Sequence, residues 1–199
     1  MVSVPLVGLV KLASRRLALK IPPSTRILPS ITPVSATTFH SEDTMITAER
    51  YHDISCGHRV YGHESKCAHL HGHNYRVHFT CVAPELDGVG RVIDFSSMKD
   101  RLCMWLEREW DHKFLVWQED PWSNDLGLLD PTVVVLPFNP TAEKMADFLL
   151  RIIGPVQLEG TGVELVKVVV EETRKCSAAA VIMPKAIAEK LVRDAAEGR

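Results

Sequence analysis

Histidine supplies the first lead. Seven of the chain's nine histidines (His52, His58, His63, His69, His71, His73 and His78) fall between residues 52 and 78. Neutral imidazoles are the commonest metal ligands. His71 and His73 are two apart, so in a strand they face the same way, roughly 6.6 Å apart along the chain, and can converge on one ion. His58, on the preceding strand, is the best-placed third ligand. Three imidazoles with an open fourth position make a catalytic zinc site. A structural zinc module of Cys56, His58, Cys67 and one later histidine is the competing assignment. Its spacings do not match the usual paired Cys-x-x-Cys or His-x-x-x-His turns.

Three further positions have types suited to chemistry. Cys67 lies between the candidate ligands and follows Lys66; a thiol near a cation is expected to ionise more readily. Cys81 and Cys103 read as small core residues, Cys56 as a strand residue beside His58, and Cys176 as following the last strand. In Asp111-His112 an aspartate next to an imidazole suits acid–base work, although a helix terminus is the plainer reading. Glu172 ends a row of valines (Val166, Val168, Val170) on one strand face, while Glu171 and Lys167 face the other way. Such a carboxylate is either exposed at the strand tip or aimed into a pocket. In a pocket it suits a ligand with two parallel N–H donors, such as the edge of a pterin or guanine.

The elements that must position these groups read as α+β. Met45 to Val60 is a plausible first strand, and Asn74 to Ala83 alternates well as a second. Asp87-Gly88 predicts a hairpin turn, with Arg91 to Phe95 as the returning strand. A helix capped by Ser96 or Ser97 follows, with Met98, Leu102, Trp105 and Leu106 as its apolar stripe. Trp117 to Asp130 reads as a long loop. A second helix begins at Asn139-Pro140-Thr141, carries Met145, Phe148, Leu149, Ile152 and Ile153 on one face, and stops at Gly154-Pro155. Val163 to Thr173 is the last predicted strand, and the alanine-rich segment from Ser177 to Arg199 is suited to a helix.

Composition narrows the classes. A chain of 199 residues suits one domain with a proper core. Five cysteines at irregular spacings do not make a secreted disulfide framework. No apolar run is long enough to span a bilayer. Residues 1–41 carry Lys11, Arg15, Arg16, Lys20 and Arg26 and no acid, whereas the remainder carries 18 basic and 25 acidic residues. An acidic body argues against nucleic-acid partners. The expected division is an N-terminal extension (1–44), a catalytic domain (45–178) and a C-terminal tail (179–199). The extension reads as a disordered tail, as residues ahead of a start at Met45, or as an organellar transit peptide. A cytoplasmic location is expected, or an organellar one if the extension is a transit peptide.

Several separated motifs, in order, resemble the family of 6-pyruvoyltetrahydropterin synthase and 6-carboxytetrahydropterin synthase, over roughly Met45 to Ala178. Gly57-His58-Arg59-Val60 is similar to the segment of the family's first zinc histidine. Cys67-Ala68-His69-Leu70-His71-Gly72-His73-Asn74-Tyr75 resembles that of its catalytic cysteine and other two ligands. Val92 to Phe95 is similar to its hairpin strand, Trp110-Asp111-His112-Lys113 to its catalytic Asp-His segment, Asn139 to Glu143 to the start of its second helix, and Glu171-Glu172-Thr173 to its pterin-anchoring strand.

The resemblance implies a tunnelling fold: a four-stranded antiparallel sheet with two helices on one face, closing as trimers into a barrel and stacking as a hexamer. Active sites then lie between subunits. It implies zinc on His58, His71 and His73, proton transfer by Cys67, Asp111 and His112, and a pterin ring held by Glu172 with Thr141. The implied substrate is 7,8-dihydroneopterin triphosphate. Three residues separate Cys67 from His71, as in the queuosine-pathway carboxytetrahydropterin synthases; the animal pyruvoyl enzymes have a longer insert, and a third branch has glutamate in place of the cysteine. The expected reaction releases acetaldehyde and triphosphate. The alternatives are the pyruvoyl-forming enzyme and a non-catalytic zinc or pterin-binding module. The linker from His58 to Cys67 is short for the family and the C-terminal tail long.

Overall fold

The computed structural model describes residues 44–197; the N-terminal extension reading, apart from Thr44, falls outside the described residues. Strand β1 (Ala48–His58) and strand β2 (His71–Val82) form a long antiparallel pair that starts at Ala48 opposite Cys81 and ends at His58 opposite His71. After β2 the chain turns into helix α1, which runs through Phe95–Met98, a π-helical stretch Lys99–Cys103 and Met104–Glu109. Then follow β3 (Phe114–Trp117), helix α2 (Ser123–Leu129) and β4 (Val134–Leu136). Helix α3 comprises Ala142–Phe148, π-helical Leu149–Ile153 and Gly154–Gln157. Strands β5 (Glu164–Thr173) and β6 (Cys176–Val181) and helix α4 (Lys185–Ala196) complete the described chain.

The sheet has six strands in the order β4-β3-β1-β2-β5-β6. This differs from the expected four-stranded antiparallel sheet: β1, β2, β5 and β6 pair antiparallel, but two short strands extend the sheet on the β1 side, with β3 parallel to β1 and β4 parallel to β3. The sheet is therefore mixed. The predicted loop from Trp117 to Asp130 holds α2 instead of running free, and Cys176 opens a strand, β6, beyond the expected last one.

Arg91 to Phe95 does not form the predicted returning strand. The Asp87 carboxylate accepts from the Val89 and Arg91 N–H groups at 3.0 and 2.9 Å, so the segment closes on itself. Asp94 then accepts from the Ser96 N–H at 2.8 Å and caps α1, two positions ahead of the first of the expected serines. A carboxylate offered to a free helix N–H competes with strand pairing there.

Both helices α1 and α3 cover the face of the sheet that presents Ile54, Cys56, Tyr75, Val77, Phe79, Val168 and Val170. Met98, Leu102, Leu106, Met145 and Leu149 are buried as their spacing predicts. Ile152 is exposed instead, and Leu150 is buried. The π-helical turn Leu149–Ile153 accounts for this, since its wider winding rotates the apolar face. The same turn lets α3 pass through Pro155 to Gln157, and Gly154 serves close packing: a Cβ there would lie 2.5 Å from the Leu165 side chain.

Candidate active site

Register brings the histidines together. His58 and His71 are directly opposed across β1 and β2, and His73 sits two residues along the same face. Ring centroids are 4.4 Å apart for His58–His71, 5.0 Å for His71–His73 and 5.3 Å for His58–His73. One ligand atom from each lies within 4.8 Å of the others. Among the described residues, this metal-capable group contains no cysteine, which disfavours the Cys56–Cys67 module. Cys56 is buried, and burial pushes its thiol up to about 12.

The donor set fits zinc. His58 Nδ1 donates to the Pro140 carbonyl at 2.7 Å, and His71 Nδ1 donates to the His69 carbonyl at 2.8 Å. Both bonds leave Nε2 with a free lone pair for a metal. Burial holds His58 and His73 below the usual imidazole range, so both are neutral, as ligands must be.

Tyr75 and Glu172 close the cluster from below. The buried Tyr75 hydroxyl lies 3.1 Å from His58 Nε2 and 3.5 Å from Glu172 Oε1, which is itself 3.5 Å from His58 Nε2 and 3.7 Å from His73 Nε2. Burial, then the neighbouring Cys56 and Glu172, push the Tyr75 phenol well above its ordinary range, so it stays a hydrogen-bond donor. Arg76 pairs with Glu171 in the sheet, so Glu172 falls on the Tyr75 face, as the valine row predicts. It is neither stranded at a strand tip nor remote from the imidazoles.

A pocket of about 310 Å³ opens beside this cluster, lined among others by Cys67, Thr141, Glu172, His63, Glu143 and Cys176. Cys67 stands on a single 3-10 turn, Lys66–Ala68, and the Val60 N–H donates to its carbonyl at 2.8 Å. Thr141 is the N-cap of α3, accepting from the Lys144 N–H at 3.3 Å.

Asp111 and His112 stand elsewhere. His112 Nδ1 donates to Asp111 at 2.6 Å, and Asp111 also accepts from the Ser55 N–H at 2.8 Å. Burial pushes the Asp111 carboxyl up, but the Ser55 N–H and His112 together outweigh it and hold the group below the usual carboxylate range. His112 has φ +55°, the only non-glycine residue in the left-handed region among those described, and its side chain is 81% exposed. A pocket of about 460 Å³ beside it is lined by Ser55, Cys56, Gly57, Gly72, His73, Asn74 and Lys113. The period-two alternation puts Ser55, Gly57, Gly72 and Asn74 out of phase with His58, His71 and His73, yet His73 also borders this pocket. Cys67 lines a separate pocket within the chain, one that neither Asp111 nor His112 lines.

The remaining crowded histidines have plain partners or surfaces. His52 bonds Glu107 at 2.8 Å, and His78 bridges Glu49 and Glu171 at 3.1 and 2.8 Å. His63 was not legible as a site residue: its ring accepts from the Ser65 N–H at 2.9 Å, yet it lines the Cys67 pocket. Tyr75 carried a signal that could have found it, its place two residues beyond His73 on the same strand face.

Fold and site together define an α+β protein with a three-histidine cluster of metal-binding type beside a thiol-lined pocket. A family-wide sequence model described as 6-pyruvoyl tetrahydropterin synthase matches residues 47–181, and the chain belongs to that family. It is 33% identical over 137 residues to the 6-carboxy-5,6,7,8-tetrahydropterin synthase of Rickettsia bellii, a match covering 66% of this chain and 97% of the relative. An uncharacterized protein from Wolinella succinogenes has a similar fold, with TM-score 0.62 and 23% identity over 70% of this chain and 99% of that one. So does the Caenorhabditis elegans 6-pyruvoyl tetrahydropterin synthase, with TM-score 0.51 and 21% identity over 70% and 97%.

Proposed function

We propose that this chain is a zinc-dependent lyase that converts 7,8-dihydroneopterin triphosphate to 6-carboxy-5,6,7,8-tetrahydropterin, releasing acetaldehyde and triphosphate, in the synthesis of a queuosine-type 7-deazaguanine. The observation that carries this is a pocket presenting Cys67, Glu172 and Thr141, in which Glu172 lies within 3.7 Å of the Nε2 atoms of His58 and His73, two of the three converging imidazoles. The Rickettsia relative's name supports the carboxy product.

Bound by the three imidazoles, zinc would supply Lewis acidity that lowers the pKa of coordinated oxygens. The chain's own groups do the rest. Glu172 accepts the paired N–H edge of the pterin and Thr141 steadies it, fixing the substrate side chain over the pocket. Cys67 Sγ takes and returns a proton on that side chain. Asp111 holds the Nδ1–H of His112, leaving Nε2 free to exchange a proton. Because His112 lines a different pocket from Cys67, we assign it to the pocket of a second copy, so the active form is a homo-oligomer, which we assign as a hexamer. No nucleic acid or membrane partner is invoked; the described residues include no helix long and apolar enough to cross a membrane. The cytoplasm is the proposed location.

Incubating the purified protein with dihydroneopterin triphosphate tests this. Triphosphate and acetaldehyde in equal amounts, with a product of the carboxytetrahydropterin mass, are expected. Triphosphate without acetaldehyde would assign the pyruvoyl-forming reaction that the name of the nematode structure carries. No triphosphate at all would leave a binding module.

A further inference from the structure

The two candidate metal ligands whose Nδ1 is bonded, His58 and His71, differ in how their acceptor is supplied. The acceptor of His71 is the carbonyl of His69, two residues back, and arrives with the chain. The acceptor of His58 is the carbonyl of Pro140, 82 residues away. Something must hold that distant carbonyl against the imidazole. The Asn139 side chain does so: its Oδ1 accepts from the Tyr61 N–H at 3.0 Å and its Nδ2 donates to the Tyr61 carbonyl at 2.7 Å. Both peptide groups of one residue are thus clasped by one planar amide, a match that needs a donor and an acceptor side by side. Tyr61 lies three residues beyond His58, so the clasp ties the Pro140 segment to the end of β1 itself. The proline ring and the restriction it places on Asn139 leave little freedom between the amide and the Pro140 carbonyl. The Thr141 N–H, donating to the Asn139 carbonyl at 2.7 Å, joins the same clasp to the cap of α3.

We propose that Asn139 is a positioning residue of the metal site, clamping the Pro140 carbonyl to Tyr61 so that His58 keeps its Nδ1–H tautomer and presents Nε2 to the ion. The inference rests on the reading of His58, His71 and His73 as ligands. Outer partners that orient a metal-binding imidazole contribute on the order of 10–100-fold in metal affinity.

The test uses Asn139→Ala and Asn139→Asp in the full chain. The aspartate retains the acceptor for the Tyr61 N–H and lacks the donor, so it disturbs the fold least. In chelator competition with zinc alone, both variants are expected to bind roughly tenfold or more weakly than the parent. In metal-free protein, long-range ¹⁵N–¹H spectra of the imidazoles should show His58 as a single Nδ1–H tautomer in the parent and as a mixture in the variants. His71, with its local acceptor, should be unchanged. Zinc affinity within about twofold of the parent in the folded variants, or affinity lost with His58 unaltered, would overturn the proposal. So would the opposite His58 tautomer in the metal-free parent, whether or not any variant folds. If the parent binds no zinc, the ligand reading fails, while the metal-free spectra still judge the clamp.

Discussion

At the residue scale, each group of the pocket makes a separable prediction. Cys67→Ala should retain the fold and the metal and lose turnover on the order of a hundredfold or more, the loss expected of a proton-transfer group; unchanged steady-state turnover would remove Cys67 from the chemistry. His71→Ala should abolish stoichiometric zinc, measured by metal analysis after dialysis, because two imidazoles remain where three converge. Glu172 lies within 3.7 Å of two ligand nitrogens, which makes its variant informative in two ways. Glu172→Gln should weaken pterin binding by about tenfold or more, the worth of a charge-assisted hydrogen bond, and leave zinc affinity intact. A parallel fall in zinc affinity would make the carboxylate a metal ligand instead of a pterin anchor.

At the element scale, the β1–β2 pair is the frame of the site, and at Gly72 its two backbones pack closely. A Cβ on Gly72 would lie 3.0 Å from the Cys56 carbonyl oxygen, between the two β2 ligands. Gly72→Ala should therefore cost about 1–3 kcal/mol, the usual range for overpacking, read from urea unfolding of metal-free protein. Carboxylates also tie β1 to its neighbours. Asp111 bonds Ser55, and burial raises the Glu49 carboxyl while His78 and Thr80 outweigh it and bring it below its ordinary range. With folded-state values below the unfolded ones, the unfolded chain takes up protons first as pH falls. Their contribution is fully present above the unfolded carboxylate values near 4 and is lost as pH drops through the folded ones. Urea midpoints should fall between about pH 5 and 3, and Asp111→Asn should flatten that fall.

At the scale of the whole molecule, two pockets divide the chemistry. Cys67 and Glu172 line one, with Glu172 against His58 and His73, and the exposed His112 lines another, which His73 also borders. A site shared between copies makes a sharp prediction. Cys67→Ala and His112→Ala, each inactive alone, should recover turnover when co-expressed or unfolded and reassembled together, in a species whose sedimentation mass is a multiple of the chain. No recovery would place the whole reaction within one subunit.

Much of this was readable beforehand because it depends on short-range rules. The period-two alternation put His71 and His73 on one face and Glu172 on the face of Val166, Val168 and Val170, and the start of α3 at Asn139-Pro140-Thr141 and the α1 stripe followed from local chemistry. The sequence by itself determined the α+β order, the ligand candidates and the family resemblance. Only the tertiary structure decided the register that sets His58 opposite His71, the Tyr75 and Asn139 contacts around them, and the two parallel strands that extend the sheet. It also decided that Arg91 to Phe95 leaves the sheet and that His112 and Cys67 line different pockets. Those outcomes turn on pairings between residues dozens of positions apart, such as Pro140 with His58, whose energies have no periodic signature along the chain.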